Sequence, residues 1–379
     1  MALRLMMDNY YMEIKLNMSS KPEEPEGIEN NDDAFLGDYP IDTVLIRNEN
    51  RTVHDVLRRI EKGSFVMDPD FQRDFVWEDD KQSKLIESVL MRIPLPVFYL
   101  AENARGQMIV VDGLQRLSTF QRFVNNDLKL KLPQHKELHN KKFQDLSPKL
   151  QNRVEDCNLV LYVIDAKVPP NALLDIFERV NSGEPLTRQQ MRNCLFTGES
   201  TRFLKDEANS ALFRQATGGS LDSKTMRDRE FINRFCAFHL LGIDQYQGKM
   251  DDFLAQTLEL MNQLESSQLV DLSYKLRTGL KNNLTLFGTH AFRKHFRGQG
   301  PRNVINASLW DVLSTSLSIY PDHLVEEYAE PLRNAFYNLL NEPGFNDSIT
   351  LGTNQVNKVK YRFSKAKSVI RGVLDDFSN

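Results

Sequence analysis

Met108-Ile109-Val110-Val111-Asp112-Gly113-Leu114-Gln115-Arg116-Leu117-Ser118-Thr119-Phe120-Gln121-Arg122-Phe123-Val124 is the stretch that decides the fold. Four strand-forming apolar residues, Met108 to Val111, run into the polar turn Asp112-Gly113. After the turn Leu114, Leu117, Phe120 and Val124 recur at helical spacing, so the sequence reads strand, tight turn, helix. Asp112 and Gln115 stand three apart, as in a variant capping box at the helix start. Capping leaves Arg116 unexplained. A helix opening off a strand through Gly presents free backbone N–H groups and the positive end of its dipole, and Arg116 would stand beside them as a planar donor suited to phosphate. Two readings stay open here: a phosphate or nucleotide site, or a well-capped buried turn in which Asp112 occupies the N–H groups an anion needs.

Working outward, 379 residues exceed the size at which one core stops growing, so two domains are expected. A 41% hydrophobic and 26% charged composition is that of an ordinary soluble globular protein. The net charge of −4 provides no global attraction to nucleic acid or membrane, so such binding must rest on local patches. Cys157, Cys194 and Cys236 are far apart, which argues against a zinc site or disulfide framework and suits a reducing, cytoplasmic setting. No apolar run is long enough to span a bilayer, and no phosphate-loop, dinucleotide-fold or zinc-protease signature occurs.

Residues 1–40 pass into a Pro-, Glu-, Asp- and Asn-rich stretch read as an acidic arm, either a solvated tail or a mask over a basic surface. Thr52 caps a helix through Val53, Val56, Leu57 and Ile60 that Gly63 ends. Phe65 to Trp77 lacks periodicity yet is dense in acids, amides and aromatics, as the wall of a site is. A helix follows from Asp79 or Asp80, with Leu85, Ile86, Val89, Leu90 and Ile93 inward. Strands are expected at Val97–Leu100, Leu128–Leu132 and Leu159–Ile164, with a short helix from Ser147-Pro148 between the last two. A further helix begins at Pro169-Pro170-Asn171, and Asn181-Ser182-Gly183 is either a hydrogen-bonding loop or a plain helix end. Thr187 and Gln190 form a second capping box. From Thr201 the pattern is nearly all helical, with Phe231, Phe235, Phe238 and Leu241 as a core stripe. Two acid-free runs, Leu272–Trp310 and the one holding Lys358, Lys360 and Arg362, are candidate nucleic-acid surfaces, with Arg293, Lys294, Arg297 and Arg302 in the first. Solvated helix faces are the equal alternative.

Four segments, Phe71–Trp77, Val111–Thr119, Ile176–Gly183 and Leu186–Asn193, resemble in order and spacing the N-terminal domain family of GmrSD-type restriction endonucleases. That family is related to the ParB/sulfiredoxin-like fold and is marked by an Asp-Gly-Gln-Gln-Arg motif. The likeness extends over roughly residues 40–320. It implies an α+β architecture: a ParB/sulfiredoxin-like small mixed sheet with helices over residues 41–200, followed by an all-α helical domain over 201–379. It also implies a nucleotide-binding, NTP-hydrolysing module of a DNA restriction or anti-phage defence system.

Carried onto this chain, the resemblance places Asp112, Gln115 and Arg116 at the nucleotide phosphates as catalytic groups, with Mg²⁺ held by Asp112. Gln72, Arg73, Gly113, Thr119, Asn181, Ser182 and Arg192 complete the nucleotide site. Substitution of Arg116 by Ala is expected to remove nucleotide binding and leave the fold intact. Leu114 stands where relatives have the first Gln, which takes one polar group from the turn. The C-terminal region lacks a His-containing nuclease signature, so cleavage is expected to need a separate nuclease or effector chain. DNA is the expected macromolecular partner, a homo-oligomer is left open, and no membrane is expected. The alternatives are a non-catalytic DNA-binding or regulatory protein and a metal-dependent DNA endonuclease.

Overall fold

The computed structural model of the chain describes residues 23–28, 45–67, 77–103, 106–168, 172–173, 175–176, 179, 187–295 and 302–376. The chain divides into two compact units, Ala34–Leu195 and a second made of Met1–Asp33 with Phe196–Asn379. The division falls a few residues before the expected boundary at 200, because Phe196 already packs on the helical core. The arm also departs from a solvated tail. Its described residues 23–28 belong to the helical unit, where Glu26 forms a parallel bridge with Asn306.

In the α/β unit, β1 (Ile46–Thr52), α1 (Val53–Glu61), β2 (Phe65–Val66), α2 (Asp79–Leu90), β3 (Phe98–Glu102), β4 (Met108–Asp112), α3 (Leu114–Val124), α4 (Pro148–Glu155), β5 (Asn158–Ile164) and α5 (Arg188–Leu195) follow in chain order. The five strands make one mixed sheet in the order β1-β5-β3-β4-β2. β1 runs antiparallel to β5, β5 parallel to β3, β3 antiparallel to β4 and β4 parallel to β2. Strand alternation sends Val110 to the side packed with Leu117, Phe120 and Phe123 of α3, and Val111 to the other, with Ile164 and Met191. Thr52 caps α1 as expected, its hydroxyl accepting from the Asp55 N–H at 3.2 Å. Leu128, Leu130 and Leu132 alternate inward but do not form the expected strand, since Leu130 and Lys131 donate to the Lys141 carbonyl and the Ser83 hydroxyl and not to a ladder. Ile93, expected inside, is 47% exposed, because α2 ends at Leu90 and Arg92 turns the chain with φ 61°.

The helical unit comprises α6 (Glu199–Ala208), α7 (Ala211–Thr217), α8 (Arg227–Leu240), α9 (Met250–Met261), α10 (Ser266–Phe287), α11 (Ala307–Leu317), α12 (Asp322–Glu327), α13 (Ala329–Asn341), α14 (Pro343–Ser348) and α15 (Val356–Asp376). Trp310 of α11 lies at its centre, with the rings of Phe213, Phe231 and Phe292 at 5.7, 5.4 and 4.6 Å. Beside it Asp311 takes two bonds from Arg234, at 2.8 and 2.6 Å, and one from Arg362 at 3.4 Å, which ties α8, α11 and α15 together. Such a buried charge group is costly to break, because removing one member strands the others away from water. No helix among the described residues is long and apolar enough to cross a membrane.

Candidate functional site

The turn between β4 and α3 is built on Gly113. Its φ of 103° lies in the left-handed region, and an added Cβ would fall 2.3 Å from Cδ1 of Phe98. Backbone conformation and close approach therefore both demand glycine here. With Gly113 at the N-cap position, Asp112 remains in the sheet opposite Tyr99, and no side chain caps the helix. This corrects the expected capping box. Asp112 Oδ2 accepts instead from Arg116 Nη2 at 2.9 Å, and Gln115 Oε1 accepts from the Trp77 N–H at 3.0 Å. None of the N–H groups of Leu114, Gln115 and Arg116 meets an acceptor among the described residues. The helix thus opens with its dipole and donors unspent, while the acid next to them is turned onto Arg116.

Arg116 differs from the free donor that the sequence suggested. It is 7% exposed; Nη1 donates to the Pro96 carbonyl, and Nη2 donates to Val97 O at 3.0 Å as well as to Asp112. Its guanidinium carbon stands 4.2 Å from the centre of the Phe98 ring. Burial lowers its proton affinity, and the Asp112 charge opposes that shift. Arg116 is therefore a clamp that fixes the Pro96-Val97 segment beneath the turn, and it supplies positive charge from below without presenting an open fork.

Thr119 is likewise buried, its hydroxyl bonded back to Gln115 O at 2.7 Å, so its expected direct contact with a nucleotide does not hold. Arg192 is brought near the turn's own strand, since α5 packs on β4 through Met191 and Val111. It is 1% exposed and donates through Nε to Gln189 Oε1 at 3.0 Å, while Gln189 Nε2 donates to Asn193 Oδ1 at 3.0 Å. This buried amide–guanidinium cluster replaces the expected exposed rim. Gln72, Arg73, Asn181 and Ser182 lie outside the described residues, as does Arg297. Trp77, the last residue of the first motif, is tied to Gln115, and Lys81 sits 4.5 Å over its indole. The parts that sequence reasoning missed are Phe98, the Pro96 and Val97 carbonyls and the Gln189–Asn193 pair. One signal was available: Asp112 and Arg116 are four apart, the spacing of a helical ion pair.

Among the described residues no three His, Cys, Asp or Glu side chains converge as a metal site. Asp112 offers one carboxylate already opposite a guanidinium, which competes with a cation for the same oxygen. Among the described residues this donor set does not fit a metal held by the protein.

The expected nucleic-acid surface is also revised. Arg293 is 1% exposed and donates to Ala291 O, Thr217 O and Ser220 Oγ, and Arg362 is fully buried against Asp311, Ser348 and Thr353. Both are internal struts and not surface contacts. Lys294 pairs with Glu26 at 2.5 Å and Lys358 with Asp347 at 2.9 Å; Arg302 is half-buried and Lys360 exposed. A count of acids along the chain cannot separate a buried guanidinium from a solvated one.

A five-stranded mixed sheet with a strand–glycine–helix turn whose first N–H groups meet no acceptor among the described residues, followed by an all-helical unit, defines a two-part α+β protein. Residues 53–197 match the family model described as GmrSD restriction endonuclease, N-terminal domain, and the α/β unit belongs to that family. No curated protein and no solved structure matches the chain.

Proposed function

We propose that the α/β unit binds a nucleoside triphosphate at the start of α3 and hydrolyses it as part of a DNA restriction system that works with a separate effector chain. The observation that carries this reading is the uncapped start of α3, with Asp112 held by Arg116 and not over the helix end. A terminal phosphate placed there would accept from the N–H groups of Leu114, Gln115 and Arg116 and gain the helix dipole. The Arg116 guanidinium, fixed by carbonyls, adds charge beneath the turn at no cost of reorganisation. Gln115 spends its Oε1 on Trp77, which leaves Nε2 to orient the attacking water. Asp112 keeps a second carboxylate oxygen outside its bond to Arg116, and in this reading that oxygen accepts the water's proton. Phosphoryl transfer asks mainly for such positioning and charge neutralisation.

The test is binding and turnover of nucleoside triphosphates by the whole chain, with and without duplex DNA. Gln115→Ala is expected to lower turnover by about 10²-fold, the size of a lost positioning or oxyanion donor, with binding largely kept. Leu114→Gln restores the motif amide and is expected to raise turnover. Absence of nucleotide binding in both the unaltered protein and Leu114→Gln overturns the reading.

A further inference from the structure

The helical unit gathers two guanidinium groups on one short turn. α7 ends at Thr217, and Gly218 and Gly219 follow with φ of 65° and 64°. Arg302 lies directly over Gly218, where an added Cβ would meet its Nη1 at 2.4 Å. Arg293, from a separate loop, donates through Nη2 to Thr217 O at 2.8 Å and to Ser220 Oγ at 2.9 Å. Like charges brought together repel, and burial with the Arg302 charge pushes Arg293 down to about 10. One acid of the N-terminal segment comes near them. The Glu23 N–H donates to Ser220 O at 2.9 Å, and the Glu23 charge acts on Arg293.

Yet this acid does not complete the bonding. Among the described residues, Glu23 Oε2, Arg293 Nε and Arg302 Nη2 are all buried without a hydrogen-bond partner. Folded proteins leave few such groups, and here two donors and one acceptor are left over in one cluster. A carboxylate is flat, carries two oxygens, and at Glu23 is tethered by its own main chain. A phosphate group is tetrahedral and has more acceptor oxygens to reach donors from two directions.

We propose that the Thr217–Ser220 turn with Arg293 and Arg302 is a phosphate-binding site of the helical unit, closed in this conformation by the carboxylate of Glu23. Three residues on, Glu26 holds the same segment down by bonds to Ile305 and Ala307 main chain at 2.8 and 2.9 Å and by its ion pair with Lys294. Opening therefore asks only that the Glu23 side chain swing aside, not that the segment leave. The ligand is a phosphate group, either free or as a phosphodiester of nucleic acid.

The experiment titrates the full chain with inorganic phosphate by calorimetry, and follows hydrogen exchange of the peptide spanning residues 214–222 as the local readout. Glu23→Gln removes the competing charge and keeps the main-chain bond; it is expected to tighten phosphate binding about tenfold and to protect that peptide. Arg302→Gln is expected to abolish both effects. A parallel arm titrates a short DNA duplex against salt. If the source is a phosphodiester, Arg302→Gln reduces the salt slope by about one; if DNA binding is unaffected while phosphate still binds, the source is free phosphate. Failure of inorganic phosphate to protect residues 214–222 in both the unaltered protein and Glu23→Gln overturns the proposal, whether or not Arg302→Gln folds. Protection confined to residues 113–117 would report on the other unit and counts against this site.

Discussion

Replacing Arg116 by Met tests the reasoning about the βα turn most directly. The residue is 7% exposed and its side chain makes hydrogen bonds to Pro96 O, Val97 O and Asp112, over the face of Phe98. Met keeps much of the volume and removes the donors. Two carbonyls then lose their partner, while Asp112, whose side chain is 33% exposed, turns to water. With only the guanidinium side of the pair buried, the loss is that of the hydrogen bonds to the carbonyls, about 1–3 kcal/mol. The unfolding constant of the α/β unit should therefore rise by roughly 5- to 150-fold. Urea unfolding followed by Trp77 fluorescence in a Trp310→Phe background gives the global figure, and hydrogen exchange over residues 94–124 locates it. Asp112→Asn, which keeps an acceptor for Nη2 and leaves Arg116 bonded to both carbonyls, should cost clearly less. If Arg116→Met shifts stability by under about 0.5 kcal/mol, the size of an ordinary surface change, Arg116 is no clamp and the direct phosphate contact regains its place.

Gly113→Ala meets both a left-handed φ and the Phe98 ring at 2.3 Å, so it should destabilise the α/β unit by about 2–4 kcal/mol and loosen the start of α3, measured by the same urea titration; an effect near zero would show that the turn can relax. Asp228 is raised to about 6, chiefly by burial. Its folded form thus takes a proton more readily than the unfolded chain, and its contribution to stability is present at low pH and declines as pH rises from about 4 to about 6. Asp228→Asn retains an acceptor for the Arg229 N–H and should gain about 2–3 kcal/mol over the unaltered protein at pH 7, with little difference at pH 4; an equal gain at both values refutes the assignment.

How much of this was legible in the sequence follows from which forces act locally. Met108–Asp112 and Leu114–Val124 were readable because apolar periodicity changes from strand to helix across a single glycine. The Thr187–Gln190 box was readable too, and both of its bonds are present, at 2.7 and 3.2 Å. The Asp112–Gln115 box was not, because the pattern is satisfied by composition while the structure spends Asp112 on Arg116 and Gln115 on Trp77, 38 residues away. β1 and β2 went unseen: β1 carries Arg47, Glu49 and Arg51 on an edge paired by charge, and β2 has two residues. Leu128–Leu132 shows the converse, alternation without a ladder. Arg293 and Arg362 were misplaced for a physical reason, since the acids and carbonyls that neutralise them come from distant segments.

The docking of Glu26 beside Asn306 joins residues 280 apart, with the whole α/β unit encoded between them. During synthesis at about 5–20 residues per second, Glu26 leaves the ribosome roughly 15–55 s before its partner exists. The intervening unit has its own core and can fold within that interval, whereas the helical unit cannot close until its first and later segments meet. A ribosome paused before codon 306 would therefore carry a finished sheet domain and an open helical one, with the acidic segment still accessible to a protease.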